Sequence, residues 1–185
     1  MGMSAPLPPA RFTRAMFDAL PDDGRRHEII DGEHHVTPSP GRRHQLVVVE
    51  LLAALHAWLR ANPVGQVIVA PWDLDLADDT IVQPDIVVLP RSAGDGTPLL
   101  VIEVLSASTA SRDRIVKRPR YQRAGIAEYW IVDAESRLVE RWRPEDERPE
   151  IITATLRWHP VRATAALEIA LAPIFDLVSS ADDER

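Results

Sequence analysis

Two carboxylates interrupt apolar segments of the sequence. Asp85 lies in "QPDIVVLP" (83–90) and Glu103 lies in "LLVIEVLS" (99–106), and both segments have the composition of buried strands. An ionised carboxylate in such a strand costs on the order of several kcal/mol unless it is paired or binds a metal. Acids on neighbouring strands can converge, and clustered carboxylate oxygens are the ligands that Mg²⁺ and Mn²⁺ prefer.

A basic segment follows the second acid. Lys117 lies in "RDRIVKRPRYQR" (112–123), in which six of twelve residues are Arg or Lys. A metal bound by Asp85 and Glu103 would polarise a phosphodiester and lower the pKa of a bound water, and Lys117 would oppose the negative charge of the scissile phosphate. The residues alone leave a second interpretation open, in which both acids form structural salt bridges.

The composition sets broad limits on the class of protein. The 185 residues are 45% hydrophobic and 26% charged, which is typical of one soluble globular domain. The absence of cysteine excludes disulfides and thiolate metal sites and fits a reducing compartment, so we expect a cytoplasmic protein without a membrane span. The net charge of −7 argues against general attraction to nucleic acid, which leaves the basic segment as the candidate contact.

The order of elements predicts a mixed α/β sheet flanked by helices. We expect a flexible N-terminus at 1–10, a single domain at 11–178 and an acidic tail at 179–185. The predicted helices lie within 11–21, from Leu46 to Leu59 and at 110–124, the last with a kink at Pro119, and the predicted strands are a hairpin turning at Asp31-Gly32 and the segments 65–76, 81–90, 99–106, 127–133 and 137–144. The basic helix would be the crossover between the buried strands 99–106 and 127–133.

Several strings of the sequence resemble the Uma family of restriction-endonuclease-like proteins, within the PD-(D/E)xK nuclease superfamily. The matching pieces are "HEIIDGEHHVTPSPGRRHQ", "QPDIVVLP", "IEVLSASTASRDRIVKRPRYQRAG" and "AEYWIVD". They span residues 27 to 133 in the order of the family. "IEVLS…D…K…Y…G…EYWIVD" is a specific string, whereas Pro-Asp alone is a weak one.

This resemblance implies a restriction-endonuclease-like core and metal-dependent cleavage of DNA. Asp85 and Glu103 match the acids that bind Mg²⁺ or Mn²⁺, and Glu28 matches a further acid that would bind the metal or a water. The lysine of the superfamily usually lies two residues after the second acid, where this sequence has Leu105. In the Uma-like pattern the lysine is displaced onto the following helix, which makes Lys117 the third catalytic candidate.

Other matching positions have a supporting role in this interpretation. His44 opens the long helix and would contact the catalytic centre or a phosphate, although a polar role at the start of the helix is an equal alternative. Asp113 and Tyr121 share one helix face with Lys117, so Asp113 would pair with Lys117 or direct it towards the metal. A phosphate backbone would contact the arginines of the same segment, unless they form an ordinary solvated face: Arg112, Arg114, Arg118 and Arg120.

Two other functions remain compatible with the sequence. One is a non-catalytic module that keeps the nuclease fold and binds nucleic acid through the basic helix, and the other is a protein-interaction module whose acids form salt bridges. A homodimer is expected for the nuclease, because cleavage of a duplex needs two sites, and strand 127–133 or 137–144 would lie at the dimer interface as a sheet edge.

Overall fold

The computed structural model describes residues 11–91, 96–106 and 108–180. The predicted N-terminal segment 1–10 and the residues 181–185 of the predicted tail lie outside this part. The helical elements are α1 (Arg14–Asp18), α2 (Arg42–Ala61), a π-helical segment (Arg112–Lys117, the π segment), α3 (Arg118–Arg123) and α4 (Leu171–Ser180). The strands are β1 (Arg26–Ile30), β2 (Glu33–Thr37), β3 (Gly65–Val69), β4 (Leu74–Ala77), β5 (Thr80–Val82), β6 (Ile86–Pro90), β7 (Leu100–Val104), β8 (Tyr129–Asp133), β9 (Leu138–Trp142), β10 (Glu150–Ile152), β11 (Thr155–Trp158) and β12 (Leu167–Ala170).

A six-stranded sheet forms the centre of the fold, with the order β10-β9-β8-β7-β6-β3. β7 and β8 are parallel, and every other pair of neighbours in this sheet is antiparallel. A parallel pair needs a crossover connection, which here is formed by the π segment and α3. The predicted mixed sheet and the predicted crossover are therefore confirmed.

Alternation along β7 divides the side chains between the two faces of this sheet. Leu100, Ile102 and Val104 pack with α2, α4 and the β11–β12 hairpin in one apolar core. Val101 lies on the opposite face, in a second core with Tyr121 of α3 and residues of the smaller sheet. Glu103 follows the same alternation, so its carboxylate is directed towards the crossover helix rather than towards α2.

The smaller sheet has the order β2-β1-β5-β4 and covers part of the second face. The β1–β2 hairpin turns at Asp31 and Gly32, whose φ angles are 53° and 77°, and such positive values are required by the tight turn that Asp-Gly predicts. The predicted strand 81–90 is divided between the sheets, since β5 pairs with β1 and β6 pairs with β7. Asp85 thus directly precedes β6, not inside a continuous strand.

The predicted helix 110–124 is present, and the turns before Pro119 are π-helical. Proline has no N–H to donate to the carbonyl four residues earlier, and its ring clashes with that carbonyl in a regular α-helix. The Arg118 N–H donates to the carbonyl of Asp113, five residues earlier, which is the hydrogen bond of a π turn. The wider turn accommodates the proline, so the distortion expected at Pro119 is a π-helical segment.

Two expectations about strands are wrong. The predicted strand 65–76 is divided into β3 and β4, which belong to different sheets. Neither β8 nor β9 is a sheet edge, because β8 lies between β7 and β9, and β9 is covered by β10. β10, which covers β9, has three residues, too few for an alternating pattern to mark it in the sequence. In the part of the chain that the structure describes, no helix combines the length and apolarity needed to span a membrane.

The two faces of α2 yield a stability prediction. Leu51 is fully buried in the first core, whereas Val49 on the same helix is 56% exposed. We expect Leu51→Ala to lower the free energy of unfolding by about 2–5 kcal/mol, because it removes buried contacts and leaves a cavity. Val49→Ala should change it by less than about 0.5 kcal/mol, since alanine is the better helix former and little surface is lost. Urea unfolding followed by circular dichroism measures both, and equal losses would contradict the placement of α2.

Candidate active site

Lys117 lies at the centre of a buried cluster of charges. Its Nζ lies 2.7 Å from Oε1 of Glu28 and 2.8 Å from Oε1 of Glu103. A third carboxylate, Asp113, lies 3.6 Å away through its Oδ1. Lys117 is only 3% exposed, so these acids replace the water that an ammonium group otherwise binds. Burial acts to lower the pKa of Lys117, but the charges of Glu103 and Glu28 outweigh this effect and raise it, which keeps the side chain protonated.

The strand register brings Asp85 next to Glu103. β6 and β7 are antiparallel with Ile86 opposite Ile102, so one further position places Asp85 opposite Glu103, on the same face of the sheet. The Val104 N–H donates to Oδ2 of Asp85 at 2.8 Å. The two acids that the sequence singles out are therefore brought together on adjacent strands.

Asp85 is held as a carboxylate by its hydrogen-bond donors. Nε2 of His44, at the start of α2, lies 3.0 Å from Oδ2, and Nη1 of Arg26 lies 2.9 Å from Oδ1. Burial acts to raise the pKa of Asp85, but the hydrogen bond from His44 and the charge of Arg26 outweigh it and lower the pKa to about 2. An ionised carboxylate accepts only, so His44 donates from Nε2. His44 thus lies against a proposed metal ligand, as the supporting role requires.

Glu103 has the opposite electrostatic environment. Burial raises its pKa to about 8, against the lowering effect of Lys117, and the nearby charges of Asp113 and Asp85 add to the increase. The Tyr121 hydroxyl donates to Oε1 of Glu103 at 2.9 Å. A carboxyl group with a pKa near neutrality can accept or release a proton at physiological pH, which is the property of a general base or acid.

Glu28 completes the acid set from the smaller sheet. Its Oε1 accepts a hydrogen bond from the Gln83 N–H at 2.8 Å. Burial acts to raise the pKa of Glu28, but the charges of Lys117 and Arg26 outweigh it and lower the pKa. Asp113 also occupies its expected place near Lys117, although burial raises its pKa. Through Lys117, the acid of the hairpin is joined to the acid of the central strand.

Sequence reasoning missed Arg26. Its guanidinium lies between the two proposed metal ligands, with Nη1 2.9 Å from Oδ1 of Asp85 and Nη2 3.8 Å from Oε2 of Glu103. Arg26 and Glu28 are two residues apart on β1, so they point to the same face of the hairpin. The two-residue spacing between Arg26 and Glu28 was the feature of the sequence that could have pointed to Arg26.

The arginines of the crossover have partners within the protein. Arg112 donates to Oγ1 of Thr37 at 2.8 Å, and Arg120 pairs with Asp31. Arg114 donates from Nε to Glu140 and from Nη2 to Asp133, while Arg118 lies over the ring of Trp142, at 4.4 Å from its centre. Their proposed contact with a phosphate backbone stays a prediction, and such contacts would have to replace or supplement these pairs.

The donor atoms of the cluster fit a hard divalent cation in type, since all the carboxylate ligands are oxygen. In the described ranges 11–91, 96–106 and 108–180, however, no three His, Asp or Glu side chains are arranged around a position that a metal could occupy. Arg26 and Lys117 lie among these acids, and Nη1 of Arg112 lies 3.4 Å from Oε2 of Glu28. A cavity of about 420 Å³ adjoins the cluster and reaches Asp85, Arg26 and His44.

Comparisons with known proteins agree with this fold. No match to the chain was found among curated proteins. The crystal structure of "a putative nuclease belonging to DUF820" from Anabaena variabilis ATCC 29413 is similar, with a TM-score of 0.75 and 20% sequence identity over 90% of this chain and 99% of that one. The family Uma2, described as "Putative restriction endonuclease", matches residues 14–172. The fold, the order of the motifs and the extent of this match lead to one conclusion: the chain belongs to the Uma2 family.

Proposed function

We propose that this protein is a metal-dependent DNA endonuclease that hydrolyses phosphodiester bonds at the Asp85–Glu103–Lys117 cluster. Membership of the Uma2 family supports nuclease activity in general. The observation that carries the finer proposal is the placement of Asp85 beside Glu103 on adjacent strands, with Nζ of Lys117 2.8 Å from Glu103. The adjoining cavity is lined by Asp85, Arg26 and His44, so a phosphate group there would approach the cluster from the side of Asp85.

The residues have separate roles in this proposal. Asp85 and Glu103 would bind Mg²⁺ or Mn²⁺, with Glu28 as an additional ligand to the metal or to a water. The bound ion would polarise the phosphodiester and lower the pKa of the attacking water. Lys117 would orient that water and stabilise the charge that develops on the phosphate. His44 would hold Asp85 in place, and Tyr121 would hold Glu103 through their observed hydrogen bonds.

DNA and a second copy of the chain are the proposed partners. The arginines of the crossover are the candidate backbone contacts, in addition to the residues around the cavity. Cleavage of both strands of a duplex needs two sites, which a homodimer would supply. The −7 net charge makes non-specific attraction weak, so binding should depend on a limited surface.

The first prediction concerns the two proposed metal ligands. We expect Asp85→Asn or Glu103→Gln to reduce Mn²⁺-dependent cleavage of supercoiled plasmid DNA by more than about 100-fold, since loss of an outer partner alone costs about 10- to 100-fold. Each amide keeps the shape of the acid, so circular dichroism spectra should match that of the wild type. Chelation by EDTA should abolish wild-type cleavage.

Glu150→Gln provides the matched control for these substitutions. Glu150 pairs with Arg141 on the sheet edge, with its Oε2 2.6 Å from Nη2, outside the cluster. Its cleavage rate should equal that of the wild type. Cleavage by Asp85→Asn at the rate of this control would rule out the assigned site.

The second prediction concerns Lys117. Lys117→Gln removes the only positive charge within 3 Å of both Glu28 and Glu103, among the ion pairs of the described residues. We expect it to abolish cleavage and to lower the free energy of unfolding by about 3–5 kcal/mol, because it leaves two buried carboxylates without their nearest cation. Cleavage assays and urea unfolding would measure the two effects.

Arg123→Gln is the control for Lys117→Gln, because Arg123 is exposed on the same crossover and its Nε donates only to the carbonyl of Pro119. It should change the free energy of unfolding by less than about 0.5 kcal/mol. If Lys117→Gln and Arg123→Gln weakened DNA binding equally, and neither altered any metal-dependent reaction, the catalytic role of Lys117 would be wrong.

One observation favours a second candidate, a non-catalytic module that keeps the nuclease fold. Asp85 is already paired with Arg26 and Glu103 with Lys117, so both acids have a cation partner without a metal. Such a module would bind nucleic acid with a strong dependence on salt and no dependence on Mn²⁺. Retention of DNA affinity in EDTA, together with no cleavage in Mg²⁺ or Mn²⁺, would favour this candidate over the endonuclease.

A further inference from the structure

Arg26 contributes a cation to the place where the two proposed metal ligands face each other. It is the first residue of β1, and its side chain extends from the smaller sheet to the end of β6. The guanidinium contacts Asp85 directly, at 2.9 Å, and lies 3.8 Å from Oε2 of Glu103. A divalent cation bound by both acids would lie close to this group, and like charges at such distances repel strongly when they are shielded from water.

The hydrogen bonding of Arg26 is incomplete. A guanidinium has five N–H donors, and Asp85 accepts one of them. Among the described residues, Nε and Nη2 have no hydrogen-bond partner although both are buried, and Oε2 of Glu103, 3.8 Å from Nη2, is too far away to be one. Unpaired donors on a buried charge are unfavourable. In a purely structural salt bridge, more of the guanidinium N–H groups would be expected to donate hydrogen bonds, as they do in bidentate pairs between arginine and carboxylate.

The adjoining cavity offers a second position for the Arg26 guanidinium. Arg26 lines the cavity of about 420 Å³, together with His44 and Asp85. Its side chain as a whole remains 18% exposed, although Nε and Nη2 of the guanidinium are buried. A phosphate in this cavity would offer two oxygens in the geometry that a guanidinium binds best.

We propose that Arg26 is the resident cation of the Asp85–Glu103 pair, that it competes with the divalent metal for these acids, and that its guanidinium moves into the adjoining cavity to bind a backbone phosphate of the substrate. This proposal rests on the proposed nuclease function. In the free protein Arg26 is the cation that lies between the two acids. In the complex the acids bind the metal and Arg26 binds the phosphate.

Calorimetric titration of Mn²⁺ into the full chain tests the competition. Arg26→Gln should bind Mn²⁺ at least about tenfold more tightly than the wild type, since a like charge next to the ligands has been removed. Arg26→Lys keeps the positive charge but lacks the planar guanidinium. Its Mn²⁺ affinity should lie between those of the wild type and Arg26→Gln. Arg25→Gln is the matched control. The side chain of Arg25 is 69% exposed and pairs with Asp23, so its replacement should not change the Mn²⁺ affinity.

The same variant should show an opposite effect on DNA. Arg26→Gln should raise the KM for a plasmid or duplex substrate by about tenfold, because one phosphate contact is lost. Tighter metal binding together with weaker substrate binding is a pattern that a loss of folding cannot produce. Adding Asp85→Asn to Arg26→Gln should remove the gained Mn²⁺ affinity, which assigns the metal to this acid pair.

The outcomes separate this inference from the proposed function. Cleavage and Mn²⁺ binding by the wild type, with equal or weaker Mn²⁺ binding by folded Arg26→Gln, would overturn the competition and leave the nuclease intact. Mn²⁺ binding that appears only in Arg26→Gln would support it strongly. Absence of binding in both proteins, with no cleavage in Mn²⁺, would overturn the metal dependence and the role of Arg26 together.

Discussion

The fold of this protein depends at its second core on one buried ammonium group. Lys117 comes from the crossover, Glu103 from the central sheet and Glu28 from the smaller sheet, and the two carboxylates lie within 2.8 Å of its Nζ. Each of these charges alone would be strongly disfavoured without water, so each of the three side chains stabilises the contact among the three elements. The site therefore also connects the two sheets and the crossover helix.

The need to hold these side chains in fixed positions explains why Glu103 lies in an apolar strand and Asp85 directly precedes one. A carboxylate on a flexible loop would be solvated, and its position would vary by more than a metal or a reacting water tolerates. Asp85 and Glu103 are instead fixed by the β6–β7 register and by the Val104 N–H. The cost is desolvation, which the molecule offsets with Arg26, His44 and Lys117. The hydrogen bond from His44 and the charge of Arg26 keep Asp85 ionised, whereas burial and the charges of Asp113 and Asp85 raise the pKa of Glu103 to about 8, so two neighbouring acids differ in chemistry.

Local patterns in the sequence predicted the elements and the acids of the site. Asp-Gly specified the hairpin turn, helical spacing outweighed the β-branched residues of α2, and charges in apolar strands were conspicuous at Asp85 and Glu103. Lys117 was a candidate because its basic helix follows the Glu103 strand, and the resemblance to a family supported it, whereas Glu28 came from that resemblance alone.

Long-range pairing was the part that could not be predicted. Arg26 begins an ordinary strand, and its partner Asp85 is 59 residues away in the sequence. The arginines of the crossover appeared available for phosphates because their own partners are also distant, as with Arg120 and Asp31, which are 89 residues apart. The division of 81–90 between two sheets depended on the competing pairing of β5 with β1, which no local pattern encodes.

The balance of charge also bears on how such a site would be switched on. Exchange of Arg26 for a divalent cation alone would add positive charge to the cluster and leave a guanidinium without its carboxylate partner. Simultaneous arrival of a phosphate would supply that partner, and its negative charge would offset part of the positive charge that the metal adds. A metal would then bind weakly to the free protein and strongly to the complex. The closed arrangement of acids and cations is, on this argument, the resting state expected of a nuclease that acquires its metal together with its DNA.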